Sequence, residues 1–165
     1  MGATRSTSKG GSKEKYVRTL SPPLPLQLLR ARDAVMRLFR SQLRARGLTD
    51  QQGRILRVLG DGSAMEMLEL AERACILPAS LSRIIPKLEA KGFVRRQKRL
   101  RDNRRVVVSI TAKGFRTFLL ISQDSEAIYR HIRKKIGERQ ILDLYQCLDS
   151  LIAIAETKRD RESAR

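Results

Sequence analysis

The stretch SAMEMLELAERACILPASLSRIIPKLEAKGFVRR, residues 63–96, restricts the fold more than any other part of the chain. Its apolar spacing predicts a short helix from about Met65 to Cys75 and a tight turn at ILPAS that ends in a possible cap. A second helix follows from Ala79 to Lys91 and is stopped at Gly92. Two helices so joined form a helix-turn-helix. Leu81, Ile84, Ile85 and Leu88 fall on the core side of the second helix, whereas Ser80, Ser82, Arg83 and Lys87 fall on polar positions. Those polar types reach phosphates and base edges from the major groove of duplex DNA. Pro86 lies inside the same helix, where a missing N–H and a crowded ring cost about 3 kcal/mol, so a kink or irregularity is expected.

The next residues, FVRRQKRLRDNRRVVVSIT, alternate as two β-rich arms, Phe93 to Lys98 and Arg105 to Ile110, about an Arg-Asp-Asn-Arg tip. Asp102 and Asn103 supply turn chemistry there. Seven of the eleven residues from Arg95 to Arg105 are basic, more than a solvated turn requires. A hairpin of this kind suits a wing laid along the minor groove, whose narrow form attracts arginine. Arg99, Arg101, Asp102, Arg104 and Arg105 are its candidate DNA residues.

Helices flank this lobe on both sides. In LTDQQGRILRVLG, Thr49 and Gln52 form a capping box, and Leu48, Gln52, Ile55, Leu56 and Leu59 repeat as a core stripe. Leu48 is then N′ and Gly53 is N4, so the hydrophobic staple that normally joins these positions lacks its second side chain. Upstream, a helix opening near Pro25 carries one stripe of Leu29, Met36, Phe39 and Leu43, with Arg32 in its remaining slot. Leu28, Ala31, Val35 and Leu38 form a second stripe. Two apolar stripes imply burial on more than one side, as a dimer interface would provide. Downstream, Thr111 caps a long helix to about Ile136, Gly137 breaks it, and a final helix presents Ile141, Leu144, Leu148, Leu151 and Ile154 or Ala155. Residues 1–20 are rich in Ser, Thr, Gly and Lys and read as a disordered basic tail, with 161–165 as a short basic end.

Composition narrows the function. Thirty-five Lys and Arg against 17 Asp and Glu give 165 residues a net charge of +18, which calls for a polyanionic partner. Aromatic residues make up only 4% and Trp is absent, so base-stacking on single strands is poorly supplied and duplex DNA fits better. A single histidine and the lack of a phosphate loop, nucleophile elbow or carboxylate cluster argue against an enzyme. Cys75 and Cys147 are far apart with no CxxC pair, so neither zinc nor a disulfide framework is indicated, and two free, buried thiols are expected. No apolar run is long enough to span a bilayer or serve as a signal peptide, so a soluble, cytoplasmic protein without cofactor or metal is expected.

In this order and spacing, LTDQQGRILRVL, SLSRIIPKLEAKGFVRR and DNRRVVVSITAKG resemble the MarR family of bacterial transcriptional regulators. The likeness covers Leu24 to about Glu156. It implies a mainly α fold with a small β-hairpin wing, in a domain spanning 21–160. Within that domain lies a winged helix-turn-helix lobe over 49–110, flanked by dimerisation helices over 24–46 and 111–158. It also implies a homodimer on a pseudo-palindromic operator, acting as a repressor that a small molecule releases. Asp102 would orient the wing tip while Arg104 approaches DNA. LLRARDAVMRLFR and ERACILPASL look most like the repressors of aromatic-acid catabolism within the family. A small aromatic or heteroaromatic acid, such as a nicotinate or homoprotocatechuate pathway metabolite, is the implied effector, held near the first and second helices. There the reading gives Gly53 the role of leaving room for a ring, with Met36, Phe39 and Leu48 as apolar wall, Arg32 pairing the carboxylate and His131 as a further lining residue. Two other readings remain open: a thiol-redox-sensing repressor using Cys75 or Cys147, and a basic architectural nucleic-acid-binding protein without effector.

Overall fold

A computed structural model describes residues 23–99 and 102–163, with side chains at 23–97 and 106–157. The expected N-terminal tail therefore lies outside the described residues, as do Ala164 and Arg165 of the expected C-terminal one. The chain divides into two units, 1–40 and 41–165.

Helix α1 (Leu24–Ala45) starts in the first unit and ends in the second. In the first unit Asp33 accepts hydrogen bonds from Arg37 at 2.9 Å and Arg40 at 2.6 Å. The Arg40 guanidinium, foremost, holds the Asp33 carboxyl below its usual range. Phe39 is buried, but Leu28, Val35 and Leu38 of the second stripe are exposed, with Leu24, Leu26 and Leu29.

In the second unit, α2 (Asp50–Val58) begins with the expected capping box. Gln52 N donates to Thr49 Oγ1 at 3.3 Å, and Thr49 N donates to Gln52 Oε1 at 3.1 Å. The predicted stripe of Leu48, Gln52, Ile55, Leu56 and Leu59 is buried throughout. After a 3-10 turn at Leu59–Asp61 come strand β1 (Met65–Glu66), α3 (Met67–Arg73), α4 (Pro78–Ala90), β2 (Val94–Arg99) and β3 (Asp102–Ile110). Leu70 and Ala71 of α3 and Leu81, Ile85 and Leu88 of α4 complete the core with Val94 and Val108, while Ile84 is half-buried.

Three expectations change here. Met65 and Glu66 belong to a strand rather than to the first helix of the helix-turn-helix, because they pair with Val108 and Val107 and give the hairpin a third neighbour in the order β1-β3-β2. A two-residue strand is too short to show an alternating pattern. Asp102 and Asn103 lie in β3 rather than at the hairpin tip; pairing runs evenly from Val94↔Ile110 to Lys98↔Val106, then shifts so that Arg99 pairs with Asp102. Helix α4 starts at Pro78, one residue earlier than the ILPAS turn suggested, and continues unbroken through exposed Pro86. The missing N–H there leaves the carbonyl of Ser82, itself an exposed residue, without its helical donor.

Helix α5 (Ala112–Ile136) is capped by Thr111, whose Oγ1 accepts from Gly114 N at 3.0 Å, and ends at Gly137 with φ +107. Helix α6 (Glu138–Ser163) then runs further than the expected 158. The C-terminal turns of α1 pack on α5: Gln42 Nε2 donates to the Asp124 carbonyl at 2.8 Å, and Arg46 pairs with the Asp124 carboxylate. Phe115, Leu119 and Leu120 of α5 and Leu142, Leu144, Tyr145, Ile152 and Ile154 of α6 are exposed.

Candidate nucleic-acid interface

Helix α4 splits its side chains as a groove-reading helix must. Leu81, Ile85 and Leu88 are fully buried, whereas Ser82, Arg83 and Lys87 are exposed and Ser80 is half-buried. Arg83 and Lys87 are one turn apart and so lie on one face. Ser82 donates its hydroxyl proton to the Pro78 carbonyl at 3.0 Å, which leaves its oxygen to accept from a partner.

The turn before α4 is built as a Schellman motif. Ile76 N donates to the Ala71 carbonyl at 2.9 Å and Cys75 N to the Glu72 carbonyl at 3.0 Å, the paired bonds that close a helix through a left-handed residue. Cys75 is that residue, with φ +49. The same bond pattern ends α1 at Gly47 and α4 at Gly92, where glycine takes the strained position without steric cost. Arg54 of α2 supports the unusual cysteine: its Nη1 donates at 2.8 Å to both the Ala74 and Cys75 carbonyls. A cation at the negative end of α3 satisfies carbonyls that no helical N–H can reach. Sequence reading missed Arg54, since nothing local tells a cation twenty residues upstream from any other on a polar face.

The wing is fastened to the far end of α4. Arg96 donates through its backbone N at 2.9 Å and its Nε at 2.7 Å to the two oxygens of Glu89, so this wing arginine is committed to structure. The Arg96 side-chain bond, then its backbone bond, lower the Glu89 pKa from the ordinary carboxylate value. Arg95 donates from Nε to Ser109 Oγ at 3.1 Å across the hairpin. Of the predicted wing residues, Arg99, Asp102, Arg104 and Arg105 are placed by backbone on β2 and β3, their side chains lying outside the description. Arg101 lies outside the described residues altogether. Behind the wing, Thr111 N donates to the Phe93 carbonyl at 3.0 Å, and the Lys113 ammonium sits 5.1 Å from the Phe93 ring centroid.

The candidate effector residues fall in both units. Arg32 is exposed, Met36 half-buried and Phe39 buried in the first; Leu48 is buried and His131 exposed in the second. Gly53 does not face a hole. A Cβ at this glycine would lie 2.7 Å from Leu43 Cδ2, so Leu43 fills the place the absent staple side chain would take. The sequence pattern put Leu43 on α1's stripe without showing that α1's last turn crosses α2 here.

Both cysteines are free, and both are exposed rather than buried. The left-handed turn holds Cys75 at the surface, and Cys147 lies on α6, most of which is exposed in the single chain. Among the described residues no helix is long and apolar enough to cross a membrane.

A helix-turn-helix whose second helix presents serines and cations, joined to a three-stranded wing sheet and flanked by long helices, is a winged-helix DNA-binding regulator rather than an enzyme. Residues 48–106 match the model of the MarR family. The homoprotocatechuate degradative operon repressor of Escherichia coli is 34% identical over 137 residues, 83% of this chain and 93% of that protein. Among solved structures, the transcriptional regulator PA4135 is 42% identical with a TM-score of 0.77, covering 81% of this chain and 98% of that one. NadR in complex with 4-hydroxyphenylacetate is 33% identical with a TM-score of 0.68, covering 90% and 97%. The chain belongs to the MarR family.

Proposed function

We propose that this regulator is a homodimeric repressor that holds a pseudo-palindromic operator through α4 and the wing and releases it on binding a small aromatic acid. The observation that carries the reading is the division of α4 into a fully buried face of Leu81, Ile85 and Leu88 and an exposed face of Ser82, Arg83 and Lys87. The exposed leucines and isoleucines of α1, α5 and α6 support a dimer, because a monomer would leave a large apolar area in water. Similarity to a homoprotocatechuate operon repressor and to a 4-hydroxyphenylacetate complex supports an aromatic carboxylate as effector.

Arg32 is the candidate anchor for that carboxylate. Its neighbour Asp33 is already bonded by Arg37 and Arg40, and the Arg32 guanidinium is exposed for a bidentate pair. Competition binding tests the whole reading. The chain's own promoter duplex is expected to outcompete scrambled duplex, and 4-hydroxyphenylacetate to dissociate it while the corresponding amide does not. Arg32→Gln is expected to abolish that preference for the acid. Equal binding to promoter and scrambled duplex would favour an architectural protein, and an unchanged acid preference in Arg32→Gln would remove Arg32 from the site.

A further inference from the structure

Leu77 stands at the entry to α4 in a place that a different residue would fill more stably. It is the N-cap, with φ −58 and ψ 137, and makes no side-chain capping bond before Pro78 opens the helix. Serine, threonine, aspartate or asparagine there would satisfy one of the orphan N–H groups of the first turn. The chain instead places a leucine that is 75% exposed, more than any other large apolar side chain among the described residues.

The core does not require this leucine. The turn is anchored one residue earlier by Ile76, which is buried and closes the Schellman motif. Pro78 and Ala79 are exposed as well, and Ser82 and Arg83 follow on the next turn. The leading end of α4 is therefore apolar, and the part behind it is polar and cationic. Both a lost cap and an exposed leucine act against stability, and such local conflicts concentrate where function is served.

Duplex DNA has one apolar feature on its base edges, the thymine C5-methyl group in the major groove. We propose that Leu77 selects thymine by packing on that methyl. Cytosine offers no methyl there and presents an amino donor, which an apolar side chain would leave unpaired. The inference rests on the reading of α4 as the helix that enters the major groove. The cations Arg83 and Lys87 on the same helix, and the chain's charge of +18, favour DNA over a protein as the occupant of this tip.

Base substitution in the DNA tests it. A high-affinity duplex is first selected by the full chain from random-sequence duplexes, and each thymine is then replaced singly by deoxyuridine, which removes only the methyl. The unaltered protein is expected to lose about fourfold in affinity at one position of each half-site, the value of burying one methyl-sized group. Leu77→Ala is expected to bind the thymine duplex more weakly and to be indifferent to deoxyuridine at that position alone, with an unchanged thermal midpoint. Leu77→Met, which keeps an apolar contact, is expected to retain the discrimination. Full discrimination in Leu77→Ala at every position, or an altered state of association in that variant, would overturn the inference while leaving α4 as the reading helix. If the unaltered protein does not prefer the selected duplex to scrambled DNA, the reading of α4 fails and this inference fails with it.

Discussion

Gly114 joins the wing to α5, and replacing it with alanine tests that junction directly. A Cβ on its backbone would lie 2.0 Å from the Phe93 carbonyl oxygen and 2.9 Å from both Ile110 Cγ1 and the Phe93 carbonyl carbon. Non-bonded heavy atoms settle at about 3.5 Å, so the peptide would have to retreat by more than about 1 Å. That same oxygen accepts from Thr111 N at 3.0 Å, while Thr111 Oγ1, whose one proton goes to the Gly92 carbonyl at 2.6 Å, caps α5 by accepting from Gly114 N. The hydrogen bond from Thr111 N at about 1 kcal/mol, a weakened cap of about 1 kcal/mol and about 1–3 kcal/mol of overpacking strain oppose the change. Removing a glycine from a helix returns about 1 kcal/mol. The net expectation is a loss of about 2–4 kcal/mol, or roughly 5–15 °C in unfolding midpoint for a chain of this length. Thermal and urea unfolding at one fixed protomer concentration measure it, since self-association would otherwise shift the midpoint. Gly53→Ala is the internal control: it is also helical, but its nearest neighbour is a methyl at the rotatable end of Leu43. That variant is expected within about 1 kcal/mol of the original, the helix gain offset by Leu43 moving aside. If Gly114→Ala proves as stable as Gly53→Ala, the close approach to Phe93 does not govern this junction.

Arg54→Ala removes charged hydrogen bonds to the Ala74 and Cys75 carbonyls and is expected to cost about 1.5–3 kcal/mol in urea unfolding; a change near zero would show that water caps α3 equally well. Cys75→Gly is expected to stabilise by about 1 kcal/mol in the same assay, because the left-handed backbone at φ +49 penalises any residue with a Cβ; a loss would mean the thiol makes a compensating contact. Glu89 has a folded-state pKa lowered by Arg96, so the stability it contributes is present above the ordinary carboxylate pKa and is lost as pH falls through the lowered value. Glu89→Gln is therefore expected to be less stable than the original near neutral pH and to approach it in acid, and parallel stability curves between about pH 7 and pH 3 would refute that assignment.

Much of this architecture is carried by local chemistry. The Thr49–Gln52 box, the Thr111 cap, the glycine stops at Gly92 and Gly137, the apolar stripe of α2 and the inward face of α4 all depend on neighbours within one or two turns. Propensity and period report such features directly, and they suffice for a winged helix-turn-helix and for the exposed positions of Ser82, Arg83 and Lys87 on α4. Other features depend on which distant segments meet. Met65 and Glu66 become a strand only because β3 offers Val107 and Val108 as partners. Leu43 occupies the place beside Gly53 because the last turn of α1 crosses α2 there, so a position that reads along the chain as a hole is filled by packing. Arg54 caps a helix twenty residues away, and the spare cation of a polar face becomes the support of a left-handed cysteine. Local sequence thus determined where helices start, stop and turn their apolar sides, because those choices are made within a single turn of backbone. Tertiary structure decided which side chains fill gaps, cap distant carbonyls or remain exposed, because those outcomes depend on the paths of segments far apart in the chain.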